Sequence, residues 1–125
     1  MLKDGSAFSG FSSDDIPAAR TFYGEVLGLD TTEENGMLTL KFSGGHTVLI
    51  YPKADHQPAT YTTLNFEVRD IEAAVQWLIE RGVDLEQYGE GFEQDEHGIA
   101  RGVGPPIAWF KDPAGNILSV IQTDS

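Results

Sequence analysis

A degenerate internal repeat limits what this chain can fold into more than any other feature. The segment DIPAARTFYGEVLGLD, starting at Asp15, is echoed 55 positions later by DIEAAVQWLIERGVDL, starting at Asp70. Each copy opens on an aspartate suited to cap a helix, because its carboxylate can accept the amide hydrogens left unpaired in the first turn. Pro17 follows early in the first copy, where a missing N–H costs little. Ile16, Ala19, Phe22, Tyr23 and Val26 recur at helical spacing, as do Ile71, Ala74, Trp77 and Leu78. Each predicted helix stops at a glycine, Gly28 or Gly82, as a left-handed C-terminal cap requires.

Strand-like segments flank both helices. Residues 8–13 precede the first helix. Residues 62–68 precede the second, with the alternation of a half-buried strand. After the first helix, residues 37–42 and 47–51 read as strands around a turn at 43–45. After the second, residues 107–111 and 117–122 flank the turn Asp112-Pro113-Ala114-Gly115-Asn116. Gly45 and Gly115 stand 70 apart rather than 55, so the second copy carries about 15 extra residues. They fall in 87–106, rich in Gly, Glu and Pro, which predicts a long loop. The expectation is an α+β chain of two βαβββ modules within one domain over 1–125. Module one runs from about 6 to 52, a linker follows at 53–60, and module two runs from about 61 to 123.

With that organisation in view, three motifs show a resemblance. The opening D-I-x-A-A-x-x-F-Y (Asp15 to Tyr23), L-G-L (Leu27 to Leu29) and W-F-K-D-P-A-G-N (Trp109 to Asn116) resemble the vicinal oxygen chelate superfamily. Its members include glyoxalase I, extradiol dioxygenases, fosfomycin resistance enzymes and bleomycin-binding resistance proteins. The resemblance covers roughly residues 8–122. It implies that each module curls into half a barrel, that the modules pair around a cavity, and that a chain this short forms a homodimer.

Metal-dependent members of that family carry His, Gln or Glu at inward positions on the first and last strands of each module. The first-strand ligand stands seven residues before the helix-opening aspartate, which here gives Phe8 and Thr63. The last-strand ligand stands seven residues after the aspartate of the D-P turn, which gives Ser119. Aligning Gly45 with Gly115 gives Leu49. Phenylalanine and leucine cannot coordinate a cation, and neutral hydroxyls are poor ligands without carboxylate or imidazole help. No metal and no other cofactor is therefore expected. The histidines fall elsewhere: His46 in a hairpin turn, His56 in the linker, His97 in the acidic loop. Each is expected to be a solvated surface residue. The run Glu93-Gln94-Asp95-Glu96-His97 lacks the glycine placement and closing glutamate of an EF-hand loop, and is expected to be a solvated flap.

Strand alternation predicts what faces the cavity instead. If positions 8 and 63 point inward, so do Gly10, Ser12, Asn65 and Glu67. Thr47, Leu49 and Tyr51 join them in module one, and Trp109, Ile117, Ser119 and Ile121 in module two. Phe11, Leu64, Phe66, Val68, Phe110, Leu118 and Val120 lie opposite, as core beneath the helices. The candidate ligand-binding residues are Phe8, Ser12, Tyr51, Thr63, Asn65, Glu67, Trp109 and Ser119. Glu67 doubles as a candidate general base or counter-charge if the barrel buries it, and as a solvated strand-end residue if not. Residues 101–106 are a glycine-rich connection or a lid over the cavity mouth.

Composition narrows the function. Eight Lys and Arg against twenty Asp and Glu give a formal charge of −12. Nucleic acid and anionic membrane surfaces are disfavoured as partners by that sign. The absence of cysteine removes thiolate nucleophiles and thiolate metal sites. No histidine falls on an inward strand position, so no Ser-His-Asp arrangement is expected. The start MLKDGSAFSG lacks an apolar leader, which predicts a cytoplasmic protein. Glu86, Glu90, Glu93, Asp95 and Glu96 have no Lys or Arg between them, and would filter for cations if their loop bordered the cavity. Metal-independent binding of a small aromatic or cationic molecule is the leading expectation. A metal-independent lyase or isomerase, and a filled non-catalytic dimeric module, are the alternatives.

Overall fold

A computed structural model describes residues 1–89, 93–102 and 104–123. Its contacts cluster into two units, Met1–Gln57 and Pro58–Ser125. The first begins with a single 3-10 turn, Leu2–Asp4. Strand β1 (Ser9–Ser13), helix α1 (Ile16–Arg20), β2 (Asp30–Glu34), β3 (Met37–Lys41) and β4 (Thr47–Pro52) follow. Their sheet runs β1-β4-β3-β2, with β1 and β4 parallel and the other pairs antiparallel. This is the predicted βαβββ order.

Both aspartate caps form. Asp15 Oδ1 accepts from the Ala18 amide at 3.0 Å, and in the second unit Asp70 Oδ1 accepts from Ala73 at 3.1 Å. Gly28 and Gly82 take φ of 74° and 79°, the left-handed conformation that ends a helix cheaply only at glycine. The first helix nevertheless departs from expectation. After five α-helical residues it widens into a π-helical segment, Thr21–Val26, with Leu27 N–H bonded to the Phe22 carbonyl at 2.9 Å. Gly24 weakens the α-helical preference inside this segment. The result seats Tyr23, fully buried, edge-on to Phe22 at 5.2 Å and 6.4 Å from Phe11.

The second unit holds β5 (Thr62–Val68), α2 (Ile71–Glu80), β6 (Ile107–Lys111) and β7 (Ile117–Gln122), in sheet order β5-β7-β6. Among the described residues the stretch between α2 and β6 forms no continuous third hairpin strand. The outer edge of β6 is instead covered piecemeal: Ala100 exchanges two backbone bonds with Ile107, Gln94 bridges Ala100, and Glu86 N–H reaches the Trp109 carbonyl at 2.8 Å. Gly89, Gly98, Gly102 and Gly104 all take positive φ, and Pro105-Pro106 precede β6, which breaks up strand pairing at those residues.

The face opposite the predicted lining is the core, as the alternation implied. Leu38, Leu40, Val48 and Ile50 are buried with Ala19 and Tyr23 of the first unit's helical segment. Phe110, Leu118, Val120 and Ala108 are buried with Ile71, Val75 and Leu78 of α2. Phe66 stacks on Phe110 with centroids 6.3 Å apart. Phe11, Leu64 and Val68 are half-buried on the same faces.

The D-P-A-G-N turn is fixed by its own side chains. Asp112, buried, accepts from the amides of Ala114 and Asn116 and from Asn116 Nδ2, each at 2.9 Å. Gly115 holds φ 84° with Pro58 so close that a Cβ would stand 3.3 Å from its ring. The motif's residue types are thus accounted for by hairpin geometry.

Candidate small-molecule site

The helix-free face of the second sheet carries three cross-strand rows. Registers place Glu67, Ile121 and Ile107 in one row, Asn65, Ser119 and Trp109 in the next, and Thr62, Ile117 and Lys111 in the third. The last row contains a correction. A β-bulge between Thr62 and Leu64 inserts an extra residue, so Thr62 rather than Thr63 occupies the row. Thr63, predicted to face inward, turns its hydroxyl to the Ile117 carbonyl at 3.1 Å and is spent on the backbone. Thr62 Oγ1 accepts the indole N–H of Trp109 at 3.0 Å.

Trp109 is therefore fixed in orientation, half-buried, with its only polar atom bonded. Tyr88, from the extra loop, packs edge-on against it at 5.5 Å. Burial, and secondly the charge of Glu86, push the Tyr88 phenol above its ordinary value, so it stays neutral at physiological pH. Ser119 is fully buried and donates to Asn65 Oδ1 at 2.5 Å. Asn65 itself is exposed. Glu67 is exposed at the strand end.

On the first sheet, Gly10 stands opposite Leu49 and Ser12 opposite Tyr51. Phe8 precedes β1 rather than lying in it, and is 68% exposed. Leu49 and Thr47 are half-buried and Tyr51 is exposed. Ser12 is covered by a residue expected to be solvated: His56, half-buried, places Nδ1 2.5 Å from Ser12 Oγ. Nothing in local composition marks a linker histidine for this contact. Thr62 and Tyr88 were likewise missed, one hidden by the bulge and the other by its place in an irregular loop.

A metal fits none of this. Phe8 and Leu49 offer no donor, the Thr63 hydroxyl is bound to backbone, and Ser119 is bound to Asn65. Among the described residues no three His, Asp or Glu side chains converge to hold an ion.

The acidic loop divides. Glu86 pairs with Lys111 at 3.5 Å beside the Trp109 row. Residues 95–101 instead pack along α2, where Glu72, Val75, His97, Ile99 and Arg101 help line a cleft of about 440 Å³. This part is a locked turn rather than a flap. Asp95 Oδ1 accepts from the amides of His97 and Ile99, and Arg101 bridges Asp95 at 2.8 Å and Glu72 at 3.0 Å. Burial alone would raise the Asp95 carboxyl. The two amides and Arg101 outweigh it and hold the carboxyl below its usual range. His97 remains exposed beside Glu96, as expected. The cation filter is therefore not assembled by Asp95 and Glu96, which lie beside α2 and in part serve the loop's own bonds. Glu90 of that set, and Val103 of the glycine-rich connection, lie outside the described residues.

Comparison with known proteins agrees with this architecture. A member of the Glyoxalase/bleomycin resistance protein/dioxygenase superfamily from Sphaerobacter thermophilus DSM 20745 superposes with a TM-score of 0.71 at 24% identity, covering 95% of this chain and 98% of its own. TnmS3, an antibiotic-binding protein from Streptomyces sp. CB03234, gives 0.68 at 22%, covering 96% and 98%. A bleomycin-binding protein complexed with bleomycin gives 0.69 at 21%, covering 96% and 99%. At such identities the likeness shows the fold. The curated proteins include no match by sequence. The model of the Glyoxalase/Bleomycin resistance protein/Dioxygenase superfamily matches residues 10–120, most of the chain, and the chain belongs to that superfamily.

Proposed function

We propose that this protein binds a small aromatic molecule without a metal, on the helix-free face of its second sheet, and that it works as a homodimer. One observation carries the reading: where a metal-dependent relative would gather ligands, this chain presents the oriented indole of Trp109, braced by Thr62 and Tyr88. An apolar wall with a few polar groups is the usual make-up of a small-molecule site. The charge of −12 favours a neutral or cationic ligand over an anionic one. Two proteins of this fold bind antibiotics. Among the described residues no helix is long and apolar enough to cross a membrane.

Titration with a panel of neutral and cationic aromatic compounds tests the reading, with tryptophan fluorescence and melting temperature as readouts. Saturable quenching and a raised melting temperature are expected, both lost in Trp109→Ala and retained in Trp77→Phe. No response at millimolar ligand overturns it. So does one tightly held divalent ion per chain, measured by elemental analysis of protein purified without a metal-affinity tag. Sedimentation at micromolar concentration tests the dimer.

A further inference from the structure

We propose that Asn65 is a specificity-determining donor, and that the aromatic ligand carries an uncharged oxygen acceptor, such as a ketone or amide carbonyl, beside the ring. This rests on the binding reading above. Its basis is the direction of one hydrogen bond. Ser119 is fully buried on β7 and donates its hydroxyl proton to Asn65 Oδ1 at 2.5 Å. That bond fixes the amide. Reversing Asn65 would put an N–H₂ group against Ser119 and take away the acceptor that the buried hydroxyl proton uses. With Oδ1 held by Ser119, Nδ2 is turned away from it, and has no hydrogen-bond partner among the described residues.

The surroundings set the ligand's chemistry. Trp109 shares the Asn65–Ser119 row, and its N–H is already bonded to Thr62, so the indole contributes a flat face and no donor. Thr62 Oγ1 accepts that bond and keeps its own proton for a second acceptor. Two outward donors beside an aromatic wall call for oxygen on a planar ligand. Glu67 stands two residues from Asn65 on the same face, exposed. Its carboxylate repels an anionic acceptor, so a carbonyl is selected over a carboxylate.

Three probes sharing one ring system test this: 2-acetylnaphthalene, 2-ethylnaphthalene and 2-naphthoate, titrated by tryptophan fluorescence. The intact protein is expected to bind the ketone about fivefold to tenfold more tightly than the hydrocarbon, and the carboxylate most weakly. Asn65→Asp keeps an acceptor for Ser119 but loses the donor, and should bring the ratio of ketone to 2-ethylnaphthalene affinity down to about one. Ser119→Ala frees the amide to rotate and should reduce the advantage without removing it. Equal affinity of the intact protein for ketone and hydrocarbon overturns the donor role and leaves the aromatic site standing. A preference for 2-naphthoate overturns the selection for an uncharged acceptor. Binding of none of the three overturns both the donor role and the site.

Discussion

Ser12 and His56 stand 44 residues apart in sequence and meet at 2.5 Å, hydroxyl oxygen to imidazole Nδ1. The contact ties the segment after β4 back across β1, next to the backbone bond from Lys53 N–H to the Ser13 carbonyl at 3.0 Å. A nearly buried hydroxyl without its imidazole would have to find water in a place shaped for a ring. Ser12→Ala or His56→Ala should each cost about 1 kcal/mol. In a double-mutant cycle by urea denaturation the two losses should be strongly non-additive, since either change removes the same bond. Additive losses would mean the pair contributes nothing as a pair.

Asp95 gives stability a pH dependence of known sign. Its carboxyl is held below its unfolded value, so the unfolded chain takes up the proton first as pH falls. The stabilisation is complete above the unfolded value of about 3.9 and is lost as pH drops through the lower folded value. The gap in unfolding free energy between the intact protein and Asp95→Asn should be flat above about pH 5 and shrink below pH 4. With the Arg101 partner nearly half exposed, the gap should be no more than about 1 kcal/mol. A gap that widens on acidification would refute the assignment.

Asp112 is the opposite case, buried and committed. Its carboxylate accepts from the Ala114 amide, and from both the backbone amide and Nδ2 of Asn116, which is also buried. Asp112→Ala should cost about 2–4 kcal/mol, because two amides and a side-chain amide lose their acceptor in a site with little room for water. Asp112→Asn should recover part of that loss, since Oδ1 alone can serve the two amides. Equal stability of both variants would show that the charge and not the acceptor geometry matters.

The repeat in the sequence carried a large share of the fold, and the reason is local. Asp15 and Asp70 cap the turns beside them, Gly28 and Gly82 take conformations only glycine adopts cheaply, and Asp112 bonds residues two and four positions on. Strand alternation separated Phe110, Leu118 and Val120 from Trp109 and Ser119 for the same reason, since facing follows from spacing alone. What spacing cannot convey is a change of register. The bulge at Thr62 to Leu64 moves the inward position from Thr63 to Thr62, and two adjacent threonines give no sign of it. The π-helical segment around Tyr23 and the isolated bridges at Ala100 are likewise not written in any local spacing. His56 pairs across 44 residues, and its role depends on where β4 delivers the chain.

Gly10 offers the sharpest test of the first sheet. It sits in β1 directly opposite Leu49 of the parallel neighbour β4, and a Cβ built on it would stand 3.0 Å from the Leu49 carbonyl oxygen and 3.6 Å from its Cβ. The closer of those atoms is backbone, so it cannot swing aside as a flexible side chain would. Gly10→Ala should force the two strands apart and cost about 1–3 kcal/mol, despite the smaller backbone entropy that alanine loses on ordering. Gly44→Ala is the matched control, since a Cβ there meets only the His46 ring at 3.6 Å in the exposed hairpin turn. The Gly10 variant should also show faster hydrogen exchange at the amides joining β1 to β4, while those joining β5 to β7 keep their protection. A Gly10→Ala protein as stable as the Gly44→Ala control would show that the β1–β4 pair sits farther apart than 3.0 Å allows.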